Sequence, residues 1–212
     1  MDKAALGVRM HSGWGALVAI GGAPLDFEVL ARRRLIVAAD THAAKFPYHH
    51  AQEIGLAAGE TYLAHCRTEG LRLARAALRP WLAALAAHHE IVGVALLEPA
   101  ARATRPLAEI LAAHPLIHSA EGEFFRGIVR EVCSSLGLSV AGRVERQLES
   151  DVGALFLGEA SALTQRVDAM GRSIGAPWTL DQKQASLAAL TLLAPSASAT
   201  QRRGARHLAH HR

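Results

Sequence analysis

Three apolar runs crowd into the first 38 residues, and the connections between them are too short to hold a helix. Residues 5–10 end at the turn His11-Ser12-Gly13, and residues 14–20 end at Gly21-Gly22-Ala23-Pro24. A third run, 27–38, is less cleanly alternating and carries Arg32-Arg33-Arg34, as expected of a strand with one exposed side. Glycine and proline at both joints break any helical continuation. Runs joined this tightly can pair only with their neighbours, which predicts an antiparallel meander.

After Pro47 the hydrophobic period changes. From 50 to 79, Leu56, Leu63, Cys66, Gly70, Leu73 and Ala77 recur at helical spacing, with Arg72, Arg75 and Arg79 off the stripe. Pro80 suits a first turn, so a second short helix is expected over 81–88. The continuous apolar run 91–97, with two valines and an isoleucine, reads as a buried central strand closed by Glu98-Pro99. Helices are expected over 106–113 and 121–136, the latter stopped by Gly137. A brief strand over 139–142 precedes helices over 144–157 and 159–174. Thr179 is the expected N-cap of a last helix, 180–193. Half of the chain is hydrophobic, enough for a substantial core; a domain of this size buries ~70% of its unfolded surface. No repeat or linker divides the chain, so one α/β domain over 1–194 is expected, with a flexible basic tail over 195–212.

The net charge of +4 is concentrated in that tail. Arg202, Arg203, Arg206 and Arg212 stand there without an acid, and the remaining basic residues match the 19 acids in number. The body therefore has no bulk signature of nucleic-acid binding, although a local patch is compatible with it. The longest apolar run is far short of the ~20 residues of a membrane span. Met1-Asp2-Lys3-Ala4 lacks the basic-then-apolar order of a secretory leader. A cytoplasmic protein is expected, with Cys66 and Cys133 as reduced, buried thiols.

Meander, long helix, buried strand, helices, short strand and further helices form the order of the RNase H-like plan, a mixed sheet with helices on both faces. Within it the chain resembles the RuvC-type Holliday-junction resolvases. Leu6-Gly7-Val8-Arg9, a turn and Trp14-Gly15-Ala16-Leu17-Val18 resemble that family's opening strand, glycine turn and second strand. Val94-Ala95-Leu96-Leu97-Glu98 resembles its central strand ending in an acid, and residues 176–185 resemble the start of its last helix. The resemblance implies two divalent cations about 4 Å apart, Mg²⁺ or Mn²⁺, held by clustered carboxylates. It matches Glu98 to the central-strand acid and Asp181 to the first acid of the last helix. It also sets Arg9 where the first-strand aspartate belongs, and Gln184 where the second last-helix acid belongs. Arg9 is then expected to pair with Glu98 or Asp181 and to take the metal's place. With the alignment shifted by two residues, His11 stands near the site and a single-metal mechanism survives.

Other constellations have ordinary readings. His49 and Glu53 share a helix face, with His65 further along, but no H-E-x-x-H and no zinc-spaced cysteine pair is present, so no metal site is expected. His118 and Glu121 could form an acid–base pair; the simpler expectation is that Ser119 caps a helix whose first turn carries Glu121 and Glu123. His11-Ser12 with Asp40 and His42 has the residue types of a Ser/His/Asp set without the nucleophile elbow. Arg32, Arg33 and Arg34 could contact phosphates together with Lys45, or guard a sheet edge.

The reading that follows is an RNase H-like protein with an altered or inactive site and no cofactor, more a binding or assembly module than an enzyme. Its expected partner is nucleic acid or another protein, and a homodimer is compatible with it. The alternative is a phosphodiester hydrolase using Glu98 and Asp181 with a histidine and one metal ion. The middle domain of archaeal and eukaryotic release factors shares the plan at fold level and would imply contact with RNA.

Overall fold

The computed structural model of the chain describes residues 1–23, 26–100 and 105–194. The tail 195–212 with its four arginines, and Pro24 of the second breaker, lie outside the described residues. Strands β1 (Asp2–His11), β2 (Trp14–Ala23) and β3 (Asp26–Ile36) form the meander, turning first at Gly13, whose φ of 78° suits glycine. β4 (His89–Glu98) lies parallel to β1, and β5 (Val140–Val144) lies parallel to β4. The sheet order is β3-β2-β1-β4-β5, a mixed sheet in which the antiparallel meander is extended by two parallel strands, with β3 on an edge.

Side chains alternate between two apolar layers. Leu6, Val8, Leu17, Val94 and Leu96 pack with Leu78 and Leu82 of α3 (Leu56–Ala86) and Phe125 and Ile128 of α5 (His114–Ser135). Ala5, Val18, Ile20, Ala95 and Leu97 pack on the opposite side. Their partners are α6 (Leu148–Leu155), α7 (Ala160–Ile174) and α8 (Leu180–Leu193). Each fully buried Leu, Ile or Phe contributes ~1.5–3 kcal/mol. The helix α8 crosses β1, β2 and β4 closely: a Cβ on Gly7 would lie 1.7 Å from the Ala185 carbonyl oxygen. No described helix is long and apolar enough to cross a membrane.

Several elements differ from the sequence expectation. Pro80 lies inside α3 instead of starting a new helix. It leaves the Ala76 carbonyl without its usual donor, and the next carbonyl, Ala77, accepts a hydrogen bond from Arg33 at 2.7 Å. The short helices α1 (His42–Lys45), α2 (Pro47–Ile54) and α4 (Leu107–Leu111) complete the α3 side. The helix α5 starts at His114 with Pro115 in its first turn, so Ser119 is an interior residue whose hydroxyl donates to the Pro115 carbonyl. β5 runs on to Val144, and a 3₁₀ turn (Glu145–Gln147) precedes α6. Cys66 is half-buried, while Cys133 is buried and its thiol is pushed up to about 12 by desolvation.

Candidate functional site

The site forms where β1 and β5 end beneath the first turn of α8. In β1 the period of two that buries Val8 against α3 and α5 turns Arg9 and His11 toward α8. The missing Cβ of Gly7 lets α8 settle on β1, and Thr179 caps its start. The Thr179 hydroxyl accepts from the Asp181 amide, and the Gln182 side chain accepts from the Thr179 amide at 2.9 Å, a reciprocal capping box. Asp181 is thereby fixed in the first turn, over the end of β1.

Arg9 binds two carboxylates at once. Its Nη1 donates to Asp181 Oδ1 and its Nη2 to Glu145 Oε1 at 2.7 Å. His11 Nε2 is 2.9 Å from the same Asp181 oxygen. The side chains of Arg9 and Asp181 are 20% and 18% exposed, so the ion pair is largely withdrawn from water. Burial works to lower the Arg9 pKa, but the hydrogen bonds and charges of Glu145 and Asp181 outweigh it and raise the value. Burial likewise works to raise the Asp181 pKa, and the bonds and charges of His11 and Arg9 outweigh it, holding the carboxyl below its ordinary value. A guanidinium is a planar fork suited to bridging carboxylates, and it is charged at every physiological pH.

Glu98 does not join this cluster. In β4 it follows the alternation of Val94 and Leu96 and faces α5, where Arg130 Nη2 donates to its Oε1 at 2.5 Å. Arg130 and Arg126 both reach Glu123 at 3.2 Å, extending the ion pair along α5. Glu98 is 8% exposed. Gly142 of β5 leaves room for the Glu98 carboxylate: a Cβ there would lie 2.4 Å from Oε2, and the Glu98 side chain would have to move. At this end of β4 the residue on the α8 side, following Ala95, is Leu97. The expected grouping of Glu98 with Asp181 is therefore corrected: a difference of one residue along a strand moves a side chain to the other face of the sheet.

The remaining sites named from sequence separate in the same way. Gln184 is one turn beyond Asp181, and its Oε1 is buried with no hydrogen-bond partner among the described residues. The arginine run splits across the two faces of β3. Arg32 donates to the carbonyls of Ile174, Gly175, Ala176 and Pro177 at 2.7–2.9 Å, clamping the α7–α8 connection. Arg33 turns to α3, and Arg34 lies over the Trp14 ring at 3.9 Å. His11 stacks on Trp14 with ring centroids 4.4 Å apart. A groove of about 460 Å³ runs beside this stack, lined by Trp14, Arg34, Pro177, Thr179 and Asp181 among others. Asp40 pairs with Lys45 and His11 with Asp181, so no Ser/His/Asp set assembles. His118 does not pair with Glu121; the buried Glu121 bonds His49 instead.

Two residues central to these ion pairs, Glu145 and Arg130, belong to none of the motifs read from the sequence. The signal for Glu145 is its place immediately after a parallel strand, level with the ends of β1 and β4. Reading that stretch as helix from Val144 hides it.

Neither a protein-family model nor a curated protein matches the sequence. Among solved structures, the chain is similar to Thermus thermophilus RuvC in complex with a Holliday junction substrate. The TM-score is 0.47 at 14% identity, over 89% of this chain and 91% of that one. A second Thermus thermophilus RuvC structure is similar with a TM-score of 0.45 at 15% identity, over 95% of this chain and 96% of that one.

Proposed function

We propose that residues 1–194 act as one RNase H-like module that binds nucleic acid without hydrolysing it, with 195–212 as a basic appendage. The observation that supports this most is Arg9, a permanent cation bonded to both Asp181 and Glu145. Two-metal phosphoryl chemistry needs several anionic oxygens turned toward one point, and hard Mg²⁺ or Mn²⁺ ions bind poorly beside a guanidinium. Here Leu97 stands on the site face of β4 and Gln184 on α8, so the donor set does not fit a metal pair. For binding, the support is the partly exposed stack of His11, Trp14 and Arg34 beside the groove. Flat aromatic and guanidinium groups take up unpaired bases by stacking, with little regard for sequence.

Fluorescence anisotropy on single-stranded DNA, branched DNA and RNA–DNA hybrid, at low and high salt, tests this reading. Each substrate is also incubated with Mg²⁺ and Mn²⁺ and checked for cleavage. The expected result is salt-dependent binding without cleavage, weakened roughly 10-fold by Trp14→Ala. Cleavage abolished by Asp181→Asn would establish the hydrolase instead. Affinity lost wholly on deleting residues 201–212 would assign binding to the tail and overturn the role given to the groove.

A further inference from the structure

Away from the Arg9 site, three histidines from two helices converge. His49 stands on α2, and His114 and His118 stand one turn apart at the start of α5. One ring nitrogen from each lies within 4.8 Å of the others. The Nε2 atoms of His114 and His118 are 3.0 Å apart, and the His49 ring centroid is 5.2 and 4.9 Å from theirs. His114 and His118 are solvent-exposed, so burial does not force these rings together.

The second observation lies behind His49. Glu121, one turn after His118, is 3% exposed, and its Oε1 is 2.8 Å from His49 Nδ1 and 3.3 Å from the His49 amide nitrogen. A carboxylate that receives one ring nitrogen fixes the imidazole's orientation and tautomer and raises the basicity of the other, which is how ligating histidines are supported. The Glu121 bond leaves Nε2 of His49 for a ligand.

We propose that His49, His114 and His118 bind one late first-row divalent metal ion of the zinc type, with Glu121 orienting His49. Three neutral imidazoles favour zinc, nickel or cobalt over magnesium, which prefers oxygen ligands. Zinc–nitrogen bonds of about 2.0–2.1 Å in a tetrahedral site put ligand nitrogens about 3.4 Å apart, so small side-chain rotations close the site. The fourth position faces solvent and takes water or a ligand from a partner. Occupancy ties α2 to the first turns of α5. This site is independent of the nucleic-acid reading.

The test is calorimetric titration of the metal-stripped full chain with Zn²⁺, in a background where His207, His210 and His211 of the tail are replaced by alanine. Co²⁺ absorption reports the ligand geometry. About one equivalent of Zn²⁺ is expected to bind at micromolar concentration or tighter. At 100-fold excess over Kd the melting temperature should rise by about 5–10 °C. Glu121→Gln is expected to weaken binding roughly 10- to 100-fold. The double variant His114→Ala/His118→Ala should lose it, and His65→Ala should leave it intact. If that background binds Zn²⁺ only at millimolar concentration, or if the double variant binds as well as its parent, the proposal is overturned. Folding of each variant is checked by circular dichroism, and the intact His65→Ala and Glu121→Gln proteins keep the comparison valid should the double variant unfold.

Discussion

Replacing Arg9 with methionine removes the guanidinium while keeping most of the side-chain volume, so its effect isolates the ion pairs. Two charge-assisted bonds are lost, to Asp181 and to Glu145 at 2.7 Å. Breaking a fully buried pair costs ~3–5 kcal/mol, whereas an exposed pair is worth ~0–1 kcal/mol. Arg9 and Asp181 are about one-fifth exposed and Glu145 about two-fifths, which places this cluster between the limits, at about 2 kcal/mol. For a chain of this length that lowers the melting temperature by about 4–8 °C. Urea melts of Arg9→Met, Asp181→Asn and the double variant give the coupling directly, with about 1–2 kcal/mol expected. The pH dependence has a definite sign. The Asp181 pKa is held below its unfolded value, so its contribution is fully present above about pH 4 and is lost as pH falls through the lower folded value. The penalty of Arg9→Met should accordingly shrink in acid. A penalty under ~0.5 kcal/mol at neutral pH, with no coupling to Asp181, would refute the reasoning.

Two further substitutions test the architecture. Gly7→Ala puts a methyl group 1.7 Å from the Ala185 carbonyl oxygen of a helix that cannot retreat without opening the layer beneath it. A loss of roughly 3 kcal/mol or more is expected by urea melt, and a neutral result would contradict the packing of α8 on β1. Glu98→Gln weakens the buried pair with Arg130 and should cost ~1–3 kcal/mol. Because Glu98 and Asp181 lie on opposite faces of the sheet, the costs of Glu98→Gln and Asp181→Asn should add within ~0.5 kcal/mol, and coupling above that would place both in one cluster.

The sheet was legible because its signals are local. Gly13 marks the first turn of the meander, the run before Glu98 is apolar without interruption, and Thr179 marks the start of the last helix; Gly21 and Gly22, which read as a breaker, instead continue β2 to Ala23, paired with β3. Pro80 misleads because tertiary packing holds one helix through it, with Leu78 and Leu82 buried on either side. Ser119 misleads in the same way: a residue suited to a cap can also lie one turn inside a helix that starts at a proline. Arg9 and Asp181 meet as expected, since each follows a strong local landmark. Glu98 was matched by its position at a strand end, and the face it occupies depends on a register that a single residue changes. The histidine cluster escaped for a different reason. His49 and His114 are distant in sequence, and only the packing of α2 against α5 brings them together.

The Arg9 guanidinium holds both Asp181 and Glu145, which leaves that end of the sheet unsuited to a hard divalent ion. Calorimetric titration of the intact protein with Mg²⁺ tests it most directly, because magnesium seeks carboxylate oxygens and leaves the imidazole cluster aside. No saturable binding is expected at sub-millimolar Mg²⁺. Stoichiometric binding in that range, abolished by Asp181→Asn, would contradict the account.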